Sequence, residues 1–391
     1  MILEPKSLTE VEMLGLQSQY NFADGHAYHD LAPSQTAIIN RLDKVWTESA
    51  ALKVRDSETL YFEAFWQLAK SQSLKNYPHF RVCPTASNSI DIIGAWLAEK
   101  GMGAGLLHPT FDNLYLLLKR RGVKIEPVDE SFLHEKGPDF LKKINADSIF
   151  LVNPNNPTGK TFSSSEFQGI VSTCVQTRKT LLLDNTFRFF VDPNFDQYKI
   201  LLDSGVSFIS IEDTGKVWPT QDMKASLMVY SKDIAKDLEI IYEEIYLCVS
   251  NFTLGILREF LIDANIRGLD KAVWKEVEQR RSILREALCD SPFSIAPTAI
   301  FSRLSVEWLQ VGYPFANDLH AMDFFQSLDL TLLPGRKFFW SATHEPKNQQ
   351  FVRISLLKPY RHFIAAVKTL QEGLDTAKKG DFNDPLISFG T

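Results

Sequence analysis

Cysteine is scarce in this chain of 391 residues, with four in all: Cys83, Cys174, Cys248 and Cys289. No two form a C-x-x-C pair and none has a histidine at ligand spacing. Neither a zinc site nor a disulfide framework is expected, and no metal is called for. The four read as buried free thiols in a reducing compartment. Long apolar runs are missing too. The longest, such as Asp147-Ser-Ile-Phe-Leu-Val152, have the length of one buried strand, far below the ~18–20 residues that span a bilayer. An excess of positive charge is also absent. Lys and Arg number 42 against 48 Asp and Glu, a net charge of −6. That balance excludes the basic field that nonspecific nucleic-acid binding requires. Met1-Ile-Leu-Glu-Pro5 carries no basic segment followed by an apolar one, so no secretion signal is expected and a cytoplasmic location is. Internal repeats and low-complexity blocks are absent.

What is present is ordinary for a soluble globular enzyme: 45% hydrophobic and 23% charged residues. The length allows two or three domains at roughly 150 residues each. Leu8-Thr-Glu-Val-Glu-Met-Leu-Gly-Leu16 spaces its apolar residues as a helix behind a Ser7 or Thr9 cap. A turn follows at Asn21-Phe-Ala-Asp-Gly-His26, with Asp24-Gly25 as the breaker.

Beyond residue 78 short apolar runs alternate with amphipathic segments. Strands are expected at Arg81–Cys83, Ala104–His108, Ser148–Val152, Thr180–Asp184 and Val206–Ile211. Helices are expected at Asn88–Lys100, Phe111–Arg121 and Phe167–Thr177. Continuous apolar strands alternating with helices imply an α/β fold with a mostly parallel sheet buried on both faces. Ligands of such sheets sit beyond the carboxyl ends of the strands. A long helical stretch, Ile234–Leu288, comes next. A strand near Phe351–Ser355 and a helix at Tyr360–Ala377 complete a smaller C-terminal α/β domain. The expected division is an N-terminal arm at 1–45, a large domain at 46–288, a small one at 289–378 and a loose tail at 379–391.

The polar constellations fall where such a fold would put a site. Lys216 follows a buried strand and precedes Val217-Trp218-Pro219, a setting that suits an amine nucleophile. By itself it reads more readily as a surface loop lysine. Asp184 ends a buried strand and needs a cationic or hydrogen-bonding partner, such as a protonated pyridine nitrogen. Asn156 ends another strand, in Asn-Asn-Pro-Thr-Gly159, and could donate to a ring oxygen or simply form a turn. Lys224 could reach a phosphate. Thr85-Ala86-Ser87 opens a helix, where hydroxyls and backbone N–H groups favour an anion or serve as a plain cap. Arg353, in Phe-Val-Arg-Ile-Ser355, suits a bidentate carboxylate contact if buried.

The order Thr85/Ser87, Asn156, Asp184, Lys216, Lys224, Arg353 resembles fold-type I pyridoxal-phosphate enzymes of the aspartate-aminotransferase superfamily, over nearly the whole chain. In that family the lysine binds the cofactor covalently and the aspartate keeps the pyridine nitrogen protonated. The resemblance therefore implies an aspartate-aminotransferase-like fold, with pyridoxal 5'-phosphate contacted by Thr85, Ala86, Ser87, Asn156, Asp184, Thr186, Lys216 and Lys224. It also implies a homodimer. Two departures argue against an ordinary transaminase. Phe187 stands where a cofactor-bonding tyrosine is common, and Lys224 where arginine is usual.

A narrower resemblance fits these departures. Asn21-Phe-Ala-Asp-Gly-His26, His108-Pro-Thr-Phe-Asp-Asn113, Glu212-Asp-Thr-Gly-Lys-Val-Trp-Pro-Thr220, Asp222-Met-Lys224 and Phe351-Val-Arg-Ile354 are similar to the pyridoxal-phosphate-dependent L-arginine oxidases, a family of 4-hydroxylases and related desaturases. Tyr28-His29-Asp30 departs from the family, where basic or amide residues are more frequent. The resemblance implies that Phe111 stacks on the pyridine. Thr9, Glu12 and Asp213 then bind the substrate guanidinium, Arg353 holds the carboxylate, and Asn156 is a further substrate contact. Asp24 and His26 close over the site, with His26 as acid or base, and Lys216 moves the Cα proton. The implied reaction takes L-arginine and dioxygen to 2-ketoarginine or 4-hydroxy-2-ketoarginine, with ammonia and peroxide. Alternatives are an arginine desaturase, a hydroxyarginine cyclase that uses no dioxygen, an ordinary aminotransferase, and a noncatalytic cofactor-binding regulator. The last is disfavoured by the acidic charge and by the lack of a helix-turn-helix-sized extension.

Overall fold

The computed structural model describes residues 4–191 and 195–379. The expected loose tail lies outside them except for Lys379, which closes the final helix, Tyr360–Lys378. The strands of the first half are β1 Tyr20–Asn21, β2 Phe80–Cys83, β3 Ala104–His108, β4 Ile125–Asp129, β5 Ser148–Val152 and β6 Thr180–Asp184. Those of the second half are β7 Phe208–Asp213, β8 Ser226–Tyr230, β9 Phe293–Ile295, β10 Val306–Val311, β11 Leu330–Thr331, β12 Leu333–Pro334 and β13 Phe351–Ser355.

Seven strands form the large sheet in the order β2-β8-β7-β6-β5-β3-β4. Strands β3 to β7 pair in parallel, and β8 alone runs antiparallel to both its neighbours. Every residue of β3, β5, β6, β7 and β8 is buried. That burial is why these segments are unbroken apolar runs rather than alternating ones. A second sheet, β12-β13-β10-β9, is antiparallel throughout. In a third, β1 pairs in parallel with β11, so the N-terminal segment is stitched to the C-terminal part of the chain.

The expected N-terminal helix is Leu8–Gly15, and Ser7 is its cap, accepting from the Glu10 N–H. Leu8 and Val11 are buried against Ala23, Trp308, Leu333 and Phe338. The Leu8 N–H, one of the free donors of the first turn, goes to Asp112 Oδ2 at 3.0 Å. The helix is thus held on one side by apolar packing and at its start by a buried carboxylate.

Three expectations need correction. The strand placed at 206–211 is 208–213. Gly205, at φ 72°, ends the helix Gln197–Ser204 in a left-handed turn, which pushes the strand two residues on and puts Asp213 at its last position. The stretch 234–288 is three helices, Ala235–Ile245, Asn251–Arg267 and Lys275–Ala287. Ser250 caps the second, Gly268 ends it, and a π turn at Asp270–Trp274 leads into the third. Finally, only Cys83 and Cys174 are buried. Cys248 and Cys289 are exposed, because they fall in connections just beyond helix ends rather than inside elements. Among the described residues no helix is long and apolar enough to cross a membrane.

Leu8→Ala should release the N-terminal helix. Loss of a fully buried leucine costs about 2–5 kcal/mol, here charged to local docking rather than to the whole fold. Limited proteolysis should then cut within residues 16–20 faster than in the wild type; an unchanged cleavage rate would contradict the packing described.

Candidate active site

The parallel strands deliver their last residues to one edge of the large sheet. Strand β2 leads to Thr85, β3 to Thr110 and Phe111, β5 to Asn156, β6 to Asp184, and β7 to Asp213 and Lys216. Because β8 is reversed, its first residue, Ser226, lies opposite Asp213. Lys224, just before it, therefore arrives at the same edge. The N-terminal helix and β13 close the other side with Thr9, Glu12 and Arg353. All the predicted site residues except Asp24 line one cavity of about 240 Å³: Thr9, Glu12, His26, Thr85, Ala86, Ser87, Phe111, Asn156, Asp184, Thr186, Asp213, Lys216, Lys224 and Arg353. Asp24 is one layer behind, against His26.

Local geometry sets each side chain. Thr85 caps the helix Ala86–Glu99 by accepting from the Asn88 N–H. Asp184 is buried and accepts from the Thr186 N–H at 2.9 Å. Burial pushes its carboxyl up to about 6, although the Thr186 contacts work the other way. A carboxylate so placed lacks a cation. Asp213 accepts from the Gly215 N–H and, at 3.3 Å, from the Ala86 N–H at the head of the helix. Its carboxylate thus sits where the helix start favours an anion.

His26 stands at the centre of a charged relay. Its Nδ1 is 2.6 Å from Asp24 Oδ1. A carboxylate only accepts, so Nδ1 carries the proton and Nε2 is the acceptor. Nε2 faces Lys224 Nζ at 2.9 Å and Lys216 Nζ at 3.5 Å. Burial would raise the Asp24 carboxyl, but the His26 hydrogen bond and the charge of Lys358 outweigh it and hold the group far below the usual carboxylate range. Arg353 is fully enclosed. Its guanidinium bonds Glu12 Oε1 at 3.1 Å and the Ala23 carbonyl, and lies 5.8 Å from the Phe111 ring centre. The sequence put Arg353 and Glu12 at opposite ends of a substrate; here they pair with each other.

Sequence reasoning missed Thr110 and Asn113, which also line the cavity, and Lys358, which lies behind it. Thr110 and Asn113 sit inside the His108–Asn113 segment already singled out, so the signal was there. Lys358 had none; its carrier, Leu-Lys-Pro359, reads as a helix approach.

These residues fit pyridoxal 5'-phosphate. Asp184 is short of a cation, which a protonated pyridine nitrogen supplies. Asn156 Oδ1 and the Thr110 hydroxyl are buried without partners, as they would be beside an absent polar ligand. Thr85–Ser87 and Lys224 offer N–H, hydroxyl and ammonium donors to a phosphate. Phe187 lines the cavity without a hydroxyl. Fold and site together define a pyridoxal-phosphate enzyme of the aspartate-aminotransferase type. Residues 63–359 match the family model for aminotransferase class I and II, and the chain belongs to that family.

Among solved structures the chain is similar to MppP soaked with the product 2-ketoarginine, at 33% identity and a TM-score of 0.83, covering 91% of this chain and 99% of that one. The aspartate aminotransferase of Thermus thermophilus with maleate shares the fold at 14% identity and a TM-score of 0.71, over 95% of this chain and 97% of that one. A histidinol-phosphate aminotransferase of Thermococcus gammatolerans is 23% identical over 57% of this chain and 68% of its own length. An aspartate aminotransferase of Thermococcus kodakarensis is 21% identical over 44% of this chain and 47% of its own length.

The raised Asp184 carboxyl has a consequence for stability. The cofactor-free folded state holds a proton that the unfolded chain, at 3.8, has lost. Stability therefore falls as pH rises from about 4 to about 6 on this account. Asp184→Asn removes that slope. The variant should melt above the wild-type apoprotein at pH 7, with the gap closing towards pH 4. Parallel melting curves across that range would rule out the assignment.

Proposed function

We propose that the protein oxidises L-arginine with dioxygen and water, releasing ammonia, peroxide and 2-ketoarginine, or, with a second dioxygen and a second water, the 4-hydroxy derivative and a second peroxide. One observation carries this reading most: the similarity to MppP, with its product 2-ketoarginine, extends over 91% of the chain, and the cavity holds carboxylates suited to a guanidinium. Glu12 and Asp213 both line it. A planar cation with five N–H donors is best bound by carboxylates. Arg353 supplies the complementary charge for the α-carboxylate. In the free protein Glu12 and Arg353 satisfy each other, so a substrate carrying both charges exchanges one pair for two. Thr9, on the same helix face as Glu12, adds a hydroxyl.

Bound pyridoxal 5'-phosphate supplies an electron sink for the Cα–H bond. Thr85, Ala86, Ser87 and Lys224 hold its phosphate end, Asp184 its ring nitrogen, Asn156 and Thr186 its edge, and Phe111 its face. Lys216 attaches it and, once released as a free amine, takes the Cα proton. His26, with its Nε2 lone pair turned into the cavity, accepts a proton from the substrate side chain. Asp24 holds the ring in that tautomer and stabilises the charge that forms. The N-terminal helix excludes bulk water from these groups. A homodimer completes the assembly, as is usual for this fold.

Transamination is the second reading, favoured by the curated relatives, which are aminotransferases. It differs by needing a keto acid, and Phe187 weighs against it. The desaturase and cyclase alternatives share the same arginine-binding groups and differ in the product.

The cofactor-loaded protein should convert L-arginine, with no keto acid added, to a keto product visible by mass spectrometry, with ammonia. Glu12→Gln should raise the KM for arginine about 10- to 100-fold, the equivalent of losing one charge-assisted hydrogen bond. Product formation only in the presence of a keto acid would sink the oxidase reading, and an unchanged KM would sink the role of Glu12.

A further inference from the structure

Lys358 is a buried cation outside the cavity. It follows β13, in Leu357-Lys358-Pro359, and is 6% exposed. Lysine is rarely enclosed to this degree without a purpose. Its Nζ donates to the Asp24 carbonyl at 2.7 Å and lies 4.9 Å from the Tyr28 ring centre. Both contacts are to the segment that carries His26.

That segment is anchored at its two ends by backbone bonds. At one end the Phe22 N–H donates to Thr331 and the Ser355 N–H to Phe22. At the other the Tyr28 N–H donates to the Leu357 carbonyl at 2.8 Å. Between them the Arg353 guanidinium takes the Ala23 carbonyl and the Lys358 ammonium the next one. The Asp24 carboxylate accepts at Oδ1 from the His26 N–H and ring, and the Tyr28 phenol also lies against it. After the His26 hydrogen bond, the charge on Lys358 is the next largest compensation for this enclosed anion.

We propose that Lys358 is a positioning residue: its buried ammonium pins the Asp24–His26 loop and so fixes which nitrogen of His26 faces Lys216 and Lys224. The inference deepens the proposed function, because it rests on His26 acting in the site. Its first test needs no turnover.

The charged groups around Lys358 give the sign of the effect. Asp24, from the loop, and Glu12, from the N-terminal helix, favour its protonated form. Burial opposes that form first, followed by Arg353 on β13 and Lys216 beyond β7. Arg280, on the helix Lys275–Ala287, donates to the Lys358 carbonyl. The balance brings the ammonium down to about 8. Loss of that charge near pH 8 leaves an amine that can still donate to the Asp24 carbonyl but no longer offsets the Asp24 carboxylate, so the environment of the loop changes there.

The experiment follows the His26 ring by NMR in protein carrying ring-labelled histidine, the signal being identified by its absence in His26→Asn. The wild type should show a second inflection near pH 8, apart from the ring's own titration. Lys358→Met and Lys358→Arg should both lack it. Removing the cation in Lys358→Met should also raise the pH at which the ring itself titrates, whereas Lys358→Arg should hold it near the wild-type value. Should the methionine variant not fold, the arginine variant still decides, through loss of the inflection near pH 8. Identical His26 titration in wild type and variants overturns the proposal, whatever the protein does with arginine. If arginine is turned over, Lys358→Met should lower kcat at least about ten-fold with little change in KM, as expected for a misplaced proton acceptor. A rise in KM alone would mark Lys358 as part of substrate binding instead.

Discussion

The pairing of charge inside a water-poor cavity governs this structure. Arg353, Asp24, Asp184 and Lys358 are all enclosed, and an isolated charge in such a place is costly. Three of them solve the problem within the protein: Arg353 on Glu12 and a carbonyl, Asp24 on His26 and Lys358, Lys358 on the Asp24 carbonyl. Asp184 does not, and burial drives it towards its neutral form. Of the two carboxylates among these four, Asp184 is the one without a cation, and a pyridine nitrogen would complete it.

Topology explains how so many charges reach one place. Parallel strands end together, and their loops share an edge. The single reversal at β8 adds Lys224 from the opposite chain direction. The N-terminal segment then crosses over. It pairs with β11, docks its helix on Trp308 and Phe338, and brings Thr9, Glu12 and His26 to a site otherwise built by residues 85–224 and 353. That segment is held by the two-residue pairing, by one face of a short helix and by the bonds of Arg353 and Lys358 to its carbonyls.

Much of this was legible in the sequence. Strands β3, β5 and β6 were marked by unbroken apolar runs, and the residues at their ends were flagged because a polar group closing such a run needs a reason. The edges of elements were harder. Val206 looks like strand but is spent on leaving Gly205, so β7 begins and ends two residues later. The helical stretch from Ile234 hid its breaks because Ser250 and Gly268 are single-residue signals inside apolar periodicity. The exposed Cys248 and Cys289 were misread for the same reason, since burial of a thiol depends on where a helix stops. The Glu12–Arg353 pair and the buried Lys358 were out of reach. Both join residues more than 300 positions apart, and no local pattern announces a contact of that range.

The central claim is that an aminotransferase fold with an arginine-binding cavity passes electrons to dioxygen. An oxygen electrode tests it most directly, with purified cofactor-loaded protein, L-arginine and no keto acid. The account predicts rapid, arginine-dependent uptake with peroxide accumulating. Absence of uptake, in a protein whose cofactor spectrum responds to arginine, would contradict it.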